Sequence, residues 1–422
     1  MADDTFLSDE FVRQLTAVGE VDIVVGVPTF NNRQTIGRVL SALQVGLVKY
    51  FPRQRSVLIN PDRGSTDGTP DEVRNASVRD FETLLTSSPL RTMHRISAPC
   101  PREQDGKNWL RMILTAADLL RAKACALVSP DLESITPEWI EALVRPIYRE
   151  KFDLVAPIYH RHKFDGLLIK NVLSPMIRGV YGQGIREPVG AELGFSGQLA
   201  CHYLESDVWP KDFADAGLTV WMTTTAIASG FRLCQSFVGP RIHSAKSAED
   251  LVQTIQRVVG DFFGCLEAHE SFWIARSGSQ PAPAFGFEYS VALEPIRINR
   301  QRMLQMFRVG ASELSSILQS ILSPATLQEI QVIAQLNDRE FRFPDELWVK
   351  TLYEFASSYH HSVITRDHLL QALVPLYRGR IGSFVLDNYR ADAEQIEKKL
   401  EALAVQYQTL KPHLIENWTA KK

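Results

Sequence analysis

Through its first 160 residues the chain switches repeatedly between short unbroken apolar runs and stretches of helical spacing. Val21 to Phe30, VDIVVGVPTF, is a β-branched run closed by Pro28 and predicts a strand. Arg33 to Tyr50 follows, with Ile36, Val39, Leu40 and Leu43 on one helical face. Ser56 to Asn60, SVLIN, predicts a second strand ending in Pro61 to Thr69, a loop dense in turn formers. Asp71 to Leu85 reads as helix and Arg91 to Ser97 as a third strand. Gly106 to Ala122 reads as a helix with Leu110, Ile113, Leu114, Ala117 and Leu120 together. Ala124 to Val128 is a fourth apolar strand, stopped at Ser129-Pro130 because proline has no N–H for a ladder. Thr136 then reads as an N-cap, with Pro137 at the first helical position and Glu138 near the positive end of the dipole. That helix runs to Glu150, and Phe152 to Tyr159 reads as a fifth strand.

Repeated strand–helix alternation predicts a mainly parallel sheet with right-handed crossovers and helices on both faces. The polar loops Pro28 to Asn32, Asn60 to Asp67 and Ser129 to Glu133 all follow strands, so they belong on one edge. Ligands of open α/β sheets bind at that edge. Asp131 and Glu133 lie just beyond the fourth strand; a plain turn cap is the alternative reading of Asp131.

Beyond residue 160 the pattern is irregular, with one long amphipathic stretch at Ser247 to His269. Ser277 to Phe285, SGSQPAPAF, reads as a linker, and from Ile296 the spacing is helical to the end, including the charged stretch Ala391 to Gln408. The expected division is a sheet domain over 1–276, a linker over 277–295 and a helical domain over 296–422.

Composition narrows the function classes. The 422 residues are 45% hydrophobic and 23% charged with net charge −3, which gives no reason to expect nucleic acid or an anionic membrane as partner. No basic-then-apolar leader and no bilayer-length apolar run is visible, and the five cysteines are scattered without a CxxC pair. A cytoplasmic protein without a disulfide scaffold or thiolate zinc site is expected.

VPTFNN after the first strand and NPDRGSTDGT after the second resemble the donor-binding loops of family A nucleotide-sugar glycosyltransferases. SPDLESITPEWI, FDLVAPIYHRHKFDG, REPVGAELGFSG, GLTVWMTTTAIASGFRL and VGPRIHSAKS narrow the resemblance. They are similar to the retaining transferases that make glucosylglycerate, mannosylglycerate and their 3-phosphorylated precursors. FPDELW, LVPLYRGRIGSFV and KPHLIENW extend the similarity into the C-terminal helices.

The resemblance implies a GT-A fold, a Rossmann-like and mainly parallel sheet, followed by a mostly helical C-terminal domain. It implies donor contacts at Pro28, Thr29, Asn31, Asn60, Asp62 and Lys107. Asp131 aligns with the last acidic residue of the family's Asp-x-Asp, and His243 with a histidine that completes a Mg²⁺ or Mn²⁺ site. Hard carboxylate and phosphate oxygens suit those cations. Glu192 matches the family's Pro-x-x-Gly-Glu, a carboxylate facing sugar or acceptor, and it joins Asp131 and Arg241 as the expected catalytic set. Arg241 and Arg186 offer forks for an acceptor carboxylate, with an ordinary ion pair as the other reading of each.

The chain departs from the family at Ser129, where the first aspartate of Asp-x-Asp belongs, and at Thr219, where relatives often carry aspartate. Pro61-Asp62-Arg63 replaces a more usual Ser-Asp-Gly. The expected function is metal-dependent transfer of a hexose from a nucleoside diphosphate sugar to glycerate or 3-phosphoglycerate. A homodimer is left open. The rival readings are a sugar nucleotidyltransferase, disfavoured by the lack of a GxGTRxxP-type loop, and a degenerate nucleotide-sugar-binding regulator.

Overall fold

The four strands expected in the first 130 residues lie side by side in one sheet. The structure is a computed structural model, and it describes residues 7–84, 93–100, 108–206, 215–242, 251–288, 296 and 298–420. In chain order the elements begin α1 (Asp9–Val18), β1 (Ile23–Gly26), α2 (Ile36–Tyr50), β2 (Ser56–Asp62), α3 (Thr69–Leu84), β3 (Met93–Pro99) and α4 (Asn108–Leu119). Then come β4 (Ala124–Leu127), α5 (Glu138–Tyr148), β5 (Leu154–His160), a π-helical turn at Ile169–Leu173, α6 (Ser174–Tyr181) and β6 (Gln183–Gly184). Next are β7 (Leu193–Ser196), α7 (Gly197–Glu205), α8 (Asp215–Ala228), β8 (Leu233–Pro240), α9 (Leu251–Ala268), α10 (Glu270–Ala275), β9 (Gln280–Pro281) and β10 (Ala284–Phe285). The remainder is helical: α11 (Arg300–Glu313), α12 (Ser315–Ile321), α13 (Pro324–Ala334), α14 (Asp345–His360), α15 (Arg366–Asn388), α16 (Ala393–Thr409) and α17 (Lys411–Thr419).

Contacts divide the chain into two units, the first being Met1–His160, Val189–Lys246 and Pro283–Val291. Its sheet has eight strands in the order β10-β8-β5-β7-β4-β1-β2-β3. Every pairing is parallel except those of β7, which runs against both β4 and β5. The chain steps outward from β1 to β2 to β3, then returns to place β4 on the other side of β1. That reversal is a topological switch point beyond the carboxyl ends of β1 and β4, the place where open α/β sheets bind ligands. Both strands are wholly buried, and Ile23, Val25, Ala124 and Ala126 pack with Ile36, Leu40 and Leu43 of α2 in one core.

Three local expectations are corrected. β2 does not stop at Asn60 but runs through Pro61 to Asp62, because Pro61 serves the sheet as an acceptor: its carbonyl takes Thr29 N–H at 2.9 Å. α5 starts at Glu138 with Pro137 at the N-cap position and no side-chain cap. The Thr136 hydroxyl, Lys49 and Tyr50 serve the Glu138 carboxylate instead, pulling its pKa down to about 2. The stretch read as a linker contains β10, which pairs in parallel with β8 and extends the sheet.

The second unit comprises Arg161–Pro188, Ser247–Ala282 and Ala292–Lys422, so it gathers two earlier segments as well as the C-terminal helices. The π-helical turn explains why the first of them belongs there. Such a turn frees backbone carbonyls from the helical ladder. Asn171 O accepts from Trp348 Nε1 and from Tyr407 Oη, each at 2.9 Å, while Asn171 Oδ1 takes Arg380 Nε at 3.2 Å. Among the described residues no helix is long and apolar enough to cross a membrane.

Candidate active site

The loops after β1 and β2 are laced into one structure. Thr29 Oγ1 donates to Asp62 Oδ1 at 2.9 Å, and Ser65 Oγ donates to the same oxygen at 2.7 Å. Asp62 Oδ2 takes the N–H groups of Gly64 and Ser65 at 3.1 and 3.0 Å. The carboxylate therefore shapes its own loop. Asn60 is buried and equally committed: Nδ2 donates to Val27 O at 2.7 Å and Thr29 Oγ1 at 3.1 Å, and Oδ1 accepts from Ser97 Oγ at 2.9 Å. Half-buried Pro28 leads into this turn.

Asn31 sits at φ 55°, a left-handed conformation that asparagine tolerates better than most residues. Its Oδ1 accepts Thr66 N–H and its N–H donates to Ser65 Oγ, both at 2.9 Å. Asn32 N–H reaches Thr69 Oγ1 at 2.8 Å, and Arg33 N–H reaches Asp67 Oδ2 at 3.0 Å. Burial opposes ionisation of Asp67, but the hydrogen bonds from Thr69 and Arg33 outweigh it and hold its carboxyl below the ordinary value. Phe30 stands 52% exposed between these anchored residues.

Across the switch point, Thr35 Oγ1 donates to Pro130 O at 2.7 Å and ties the start of α2 to the loop after β4. Asp131 in that loop is buried, and Ser129 Oγ donates to its Oδ1 at 2.6 Å. The chain leaving β8 returns to the same loop: Ile242 N–H donates to Ser134 Oγ and Ile242 O accepts Glu133 N–H, both at 2.9 Å. His243 is the next residue, but it and Lys107 lie outside the described residues.

Glu192 immediately precedes β7. Because β7 is antiparallel, its first residue, Leu193, pairs with Leu127 at the carboxyl end of β4, on the edge that carries Asp131. The Glu192 side chain is wholly buried. Its Oε2 accepts from Tyr159 Oη and, at 3.2 Å, from Arg241 Nε. Its Oε1 is buried without a hydrogen-bond partner among the described residues. Arg241 lies 5.6 Å from the Tyr159 ring centroid. Burial disfavours its charge, but Glu192, Tyr159 and Asp131 outweigh that and raise its pKa.

Asp131, Glu192 and Arg241 thus share one edge of the sheet, with Thr29, Asn31, Asn60 and Asp62 at the ends of the adjoining strands. Arg186 instead pairs with Glu397 at 3.2 Å in the second unit. Thr219 is buried on α8. Sequence reasoning passed over Tyr159, whose only signal is a hydroxyl at the end of an apolar strand, and over the part Ser129 plays toward Asp131.

Among the described residues no cluster of three histidine, cysteine or carboxylate side chains forms a metal-ligand set. The residues still fit a hard divalent cation. Asp131 offers a carboxylate oxygen at this edge, and Ile242, the last described residue before His243, is hydrogen-bonded to Glu133 and Ser134 of the same loop; phosphate oxygens and water would complete such a shell.

No family model and no curated protein matches the chain. Among solved structures it is similar to glucosyl-3-phosphoglycerate synthase from Mycobacterium tuberculosis in complex with Mn²⁺, uridine diphosphate and phosphoglyceric acid. Identity is 18% and TM-score 0.44, over 60% of this chain and 82% of that one. The same enzyme in complex with Mg²⁺ and uridine diphosphate gives 17% identity and TM-score 0.44 over 60% of this chain and 83% of that one. A further structure of it gives 19% identity and TM-score 0.42 over 60% and 84%.

Proposed function

We propose that this chain is a metal-dependent glycosyltransferase that moves a hexose from a nucleoside diphosphate sugar to a small acidic acceptor, glycerate or 3-phosphoglycerate, with retention at the anomeric carbon. The observation that carries the reading is Glu192 Oε1, a buried carboxylate oxygen without a donor among the described residues, at the sheet edge that also holds Arg241 and Asp131. An unmatched buried acceptor is costly, and a shift of its cover on substrate binding would let a substrate hydroxyl satisfy it. The laced loops after β1 and β2 offer a preorganised seat for base and ribose, with Phe30 as an exposed flat surface.

In the transfer, the bond between the anomeric carbon and the diphosphate oxygen breaks, the acceptor oxygen bonds to the same face, and its proton leaves with the departing phosphate. Glu192 orients the sugar or acceptor hydroxyl, and Arg241 supplies fixed positive charge beside it. Asp131 and His243 would hold Mg²⁺ or Mn²⁺, which when bound offsets charge on the leaving diphosphate. The soluble cytoplasm and a homodimeric state belong to the same reading.

The test is a screen of UDP- and GDP-hexoses against glycerate and 3-phosphoglycerate with each metal. The wild type should turn over one pair. Asp131→Ala should lower kcat by roughly 100-fold or more, since that charge stabilisation amounts to several kcal/mol. His243→Ala should chiefly raise the metal concentration needed. Full activity of Asp131→Ala in a chelator would remove the metal mechanism. Donor binding without turnover of any pair would favour the regulator reading, for which Ser129 and Thr219 speak.

A further inference from the structure

β5 and β8 pair in parallel, residue against residue, from Leu154 with Leu233 to Ile158 with Phe237. The next pair is Tyr159 with Gly239, and after it His160 with Pro240. Val238 is therefore an extra residue in β8, a bulge, and Gly239 beside it has φ 93°. We infer that Gly239 is a positioning residue of the sheet-edge site: the bulge it closes turns Arg241 onto Glu192.

Successive side chains of a strand point to opposite faces. Cys234 pairs with Val155, and Cys234, Val238, Val155 and Tyr159 all pack in the core that α2 and α5 cover. Arg241 lies three residues beyond Val238, so regular alternation would send it to the other face. A slip of one residue moves every later side chain across the sheet, and the bulge makes that slip. Arg241 accordingly emerges on the side of Tyr159. Its guanidinium lies 5.6 Å from the Tyr159 ring centroid, and its Nε donates to Glu192 Oε2 at 3.2 Å.

Bulges are rare in parallel pairs, and beside active sites they re-aim a side chain. Positive φ is open to glycine and uncommon elsewhere, least tolerated by β-branched residues. Pro240 then fixes its own φ. Ile242 is anchored on both sides, its N–H donating to Ser134 Oγ and its carbonyl accepting Glu133 N–H, both at 2.9 Å. Arg241 thus stands between a rigid ring and an anchored residue, and the bulge sets its direction. The catalytic consequence rests on the proposed transfer, in which Arg241 supplies charge beside Glu192; the geometric consequence does not.

The experiment compares the full chain with Gly239→Asn, Gly239→Ala and Gly239→Val. In each background the coupling of Arg241 to Glu192 is read as the non-additivity of Arg241→Met and Glu192→Gln in urea unfolding. In the wild-type background it should amount to about ten-fold or more in the unfolding equilibrium constant, the scale of a hydrogen bond between charged groups. Gly239→Asn should retain most of it, because asparagine tolerates positive φ, whereas Gly239→Ala and Gly239→Val should lose it. Asparagine is larger than alanine, so a packing role alone would reverse that order. The comparison of those two decides the matter if Gly239→Val does not fold. No coupling in the wild type, equal coupling in every background, or coupling that falls with side-chain size would overturn the assignment. In a chain that turns over a donor–acceptor pair, kcat/KM should follow the coupling, Gly239→Ala falling about ten-fold. Coupling that depends on position 239 without turnover of any pair would uphold the positioning and remove the transferase reading. Turnover with coupling indifferent to position 239 would do the reverse.

Discussion

The Ser129 hydroxyl donates to Asp131 Oδ1 at 2.6 Å across a single intervening proline. The serine hydroxyl therefore orients the carboxylate two residues on. A serine can do this where an aspartate would repel, so one carboxylate is oriented by a donor rather than accompanied by a second charge. Ser129→Ala should leave the fold intact and lower kcat/KM roughly ten-fold, the scale of one hydrogen bond to a charged group. The metal concentration at half-maximal rate should rise with it. An unchanged metal titration would reduce the hydroxyl to a turn contact.

Asp62 makes a different kind of contribution. Its two oxygens accept from Thr29, Gly64 and Ser65, so Asp62→Ala leaves several donors unmatched and unlaces the loop after β2. Urea unfolding should report a loss of about 1–3 kcal/mol. Wild-type stability combined with a raised donor KM would instead place the carboxylate on the ligand.

What could be read from the chain follows from where the causes are local. The runs at Val21, Ser56 and Ala124 announce strands because buried parallel strands are unbroken apolar runs, and they lie together in the sheet beside the mixed edge strand β3. β7 was not legible: Leu193–Ser196 is a four-residue strand containing a glycine, and it is set by its antiparallel pairing with β4 and β5. The edge that gathers Asp131 was legible from strand ends, but the contact of Arg241 with Glu192 joins residues 49 apart and depends on that unseen strand. Likewise, nothing in the spacing of Arg161 to Pro188 signals that Asn171 anchors Trp348 and Tyr407.

A pH dependence arises in the second unit. Burial depresses the His269 pKa to about 4 from an unfolded value of 6.5, and its Nδ1 lies 3.2 Å from Tyr181 Oη. Between those values the unfolded chain binds a proton that the folded chain refuses. The contribution is complete above pH 6.5 and is lost as pH falls through 4, by roughly 3 kcal/mol in all. Glu354, whose pKa is lowered by its hydrogen bonds from His413, Ser323 and Thr326 against an opposing burial effect, adds a further loss only below its ordinary carboxylate range. Unfolding free energy measured from pH 7 to 4 should fall less steeply in His269→Phe than in the wild type. Parallel slopes in the two proteins would rule the histidine out as the source.

Gly190 sets the position of the Glu192 partner. A Cβ there would meet Pro157 Cγ at 2.4 Å and Tyr159 Oη at 3.2 Å. Pro157 is a ring within β5 and has little room to yield, so Gly190→Ala must shift either its own segment or the tyrosine. Tyr159 Oη donates to Glu192 Oε2, the oxygen that also accepts from Arg241 Nε, so displacing it loosens the carboxylate whose other oxygen is unpartnered among the described residues. Overpacking of this kind costs about 1–3 kcal/mol of stability. Catalysis should suffer by the further loss of orientation, about ten-fold or more for a single misplaced hydrogen bond. Tyr159→Phe removes only the hydroxyl and should reproduce the catalytic part of the defect. If both changes act through Glu192, the double variant should be little worse in kcat/KM than either single one, because residues in one network do not add. Full additivity of the two defects would separate Gly190 from the Tyr159–Glu192 contact and leave it a packing residue alone.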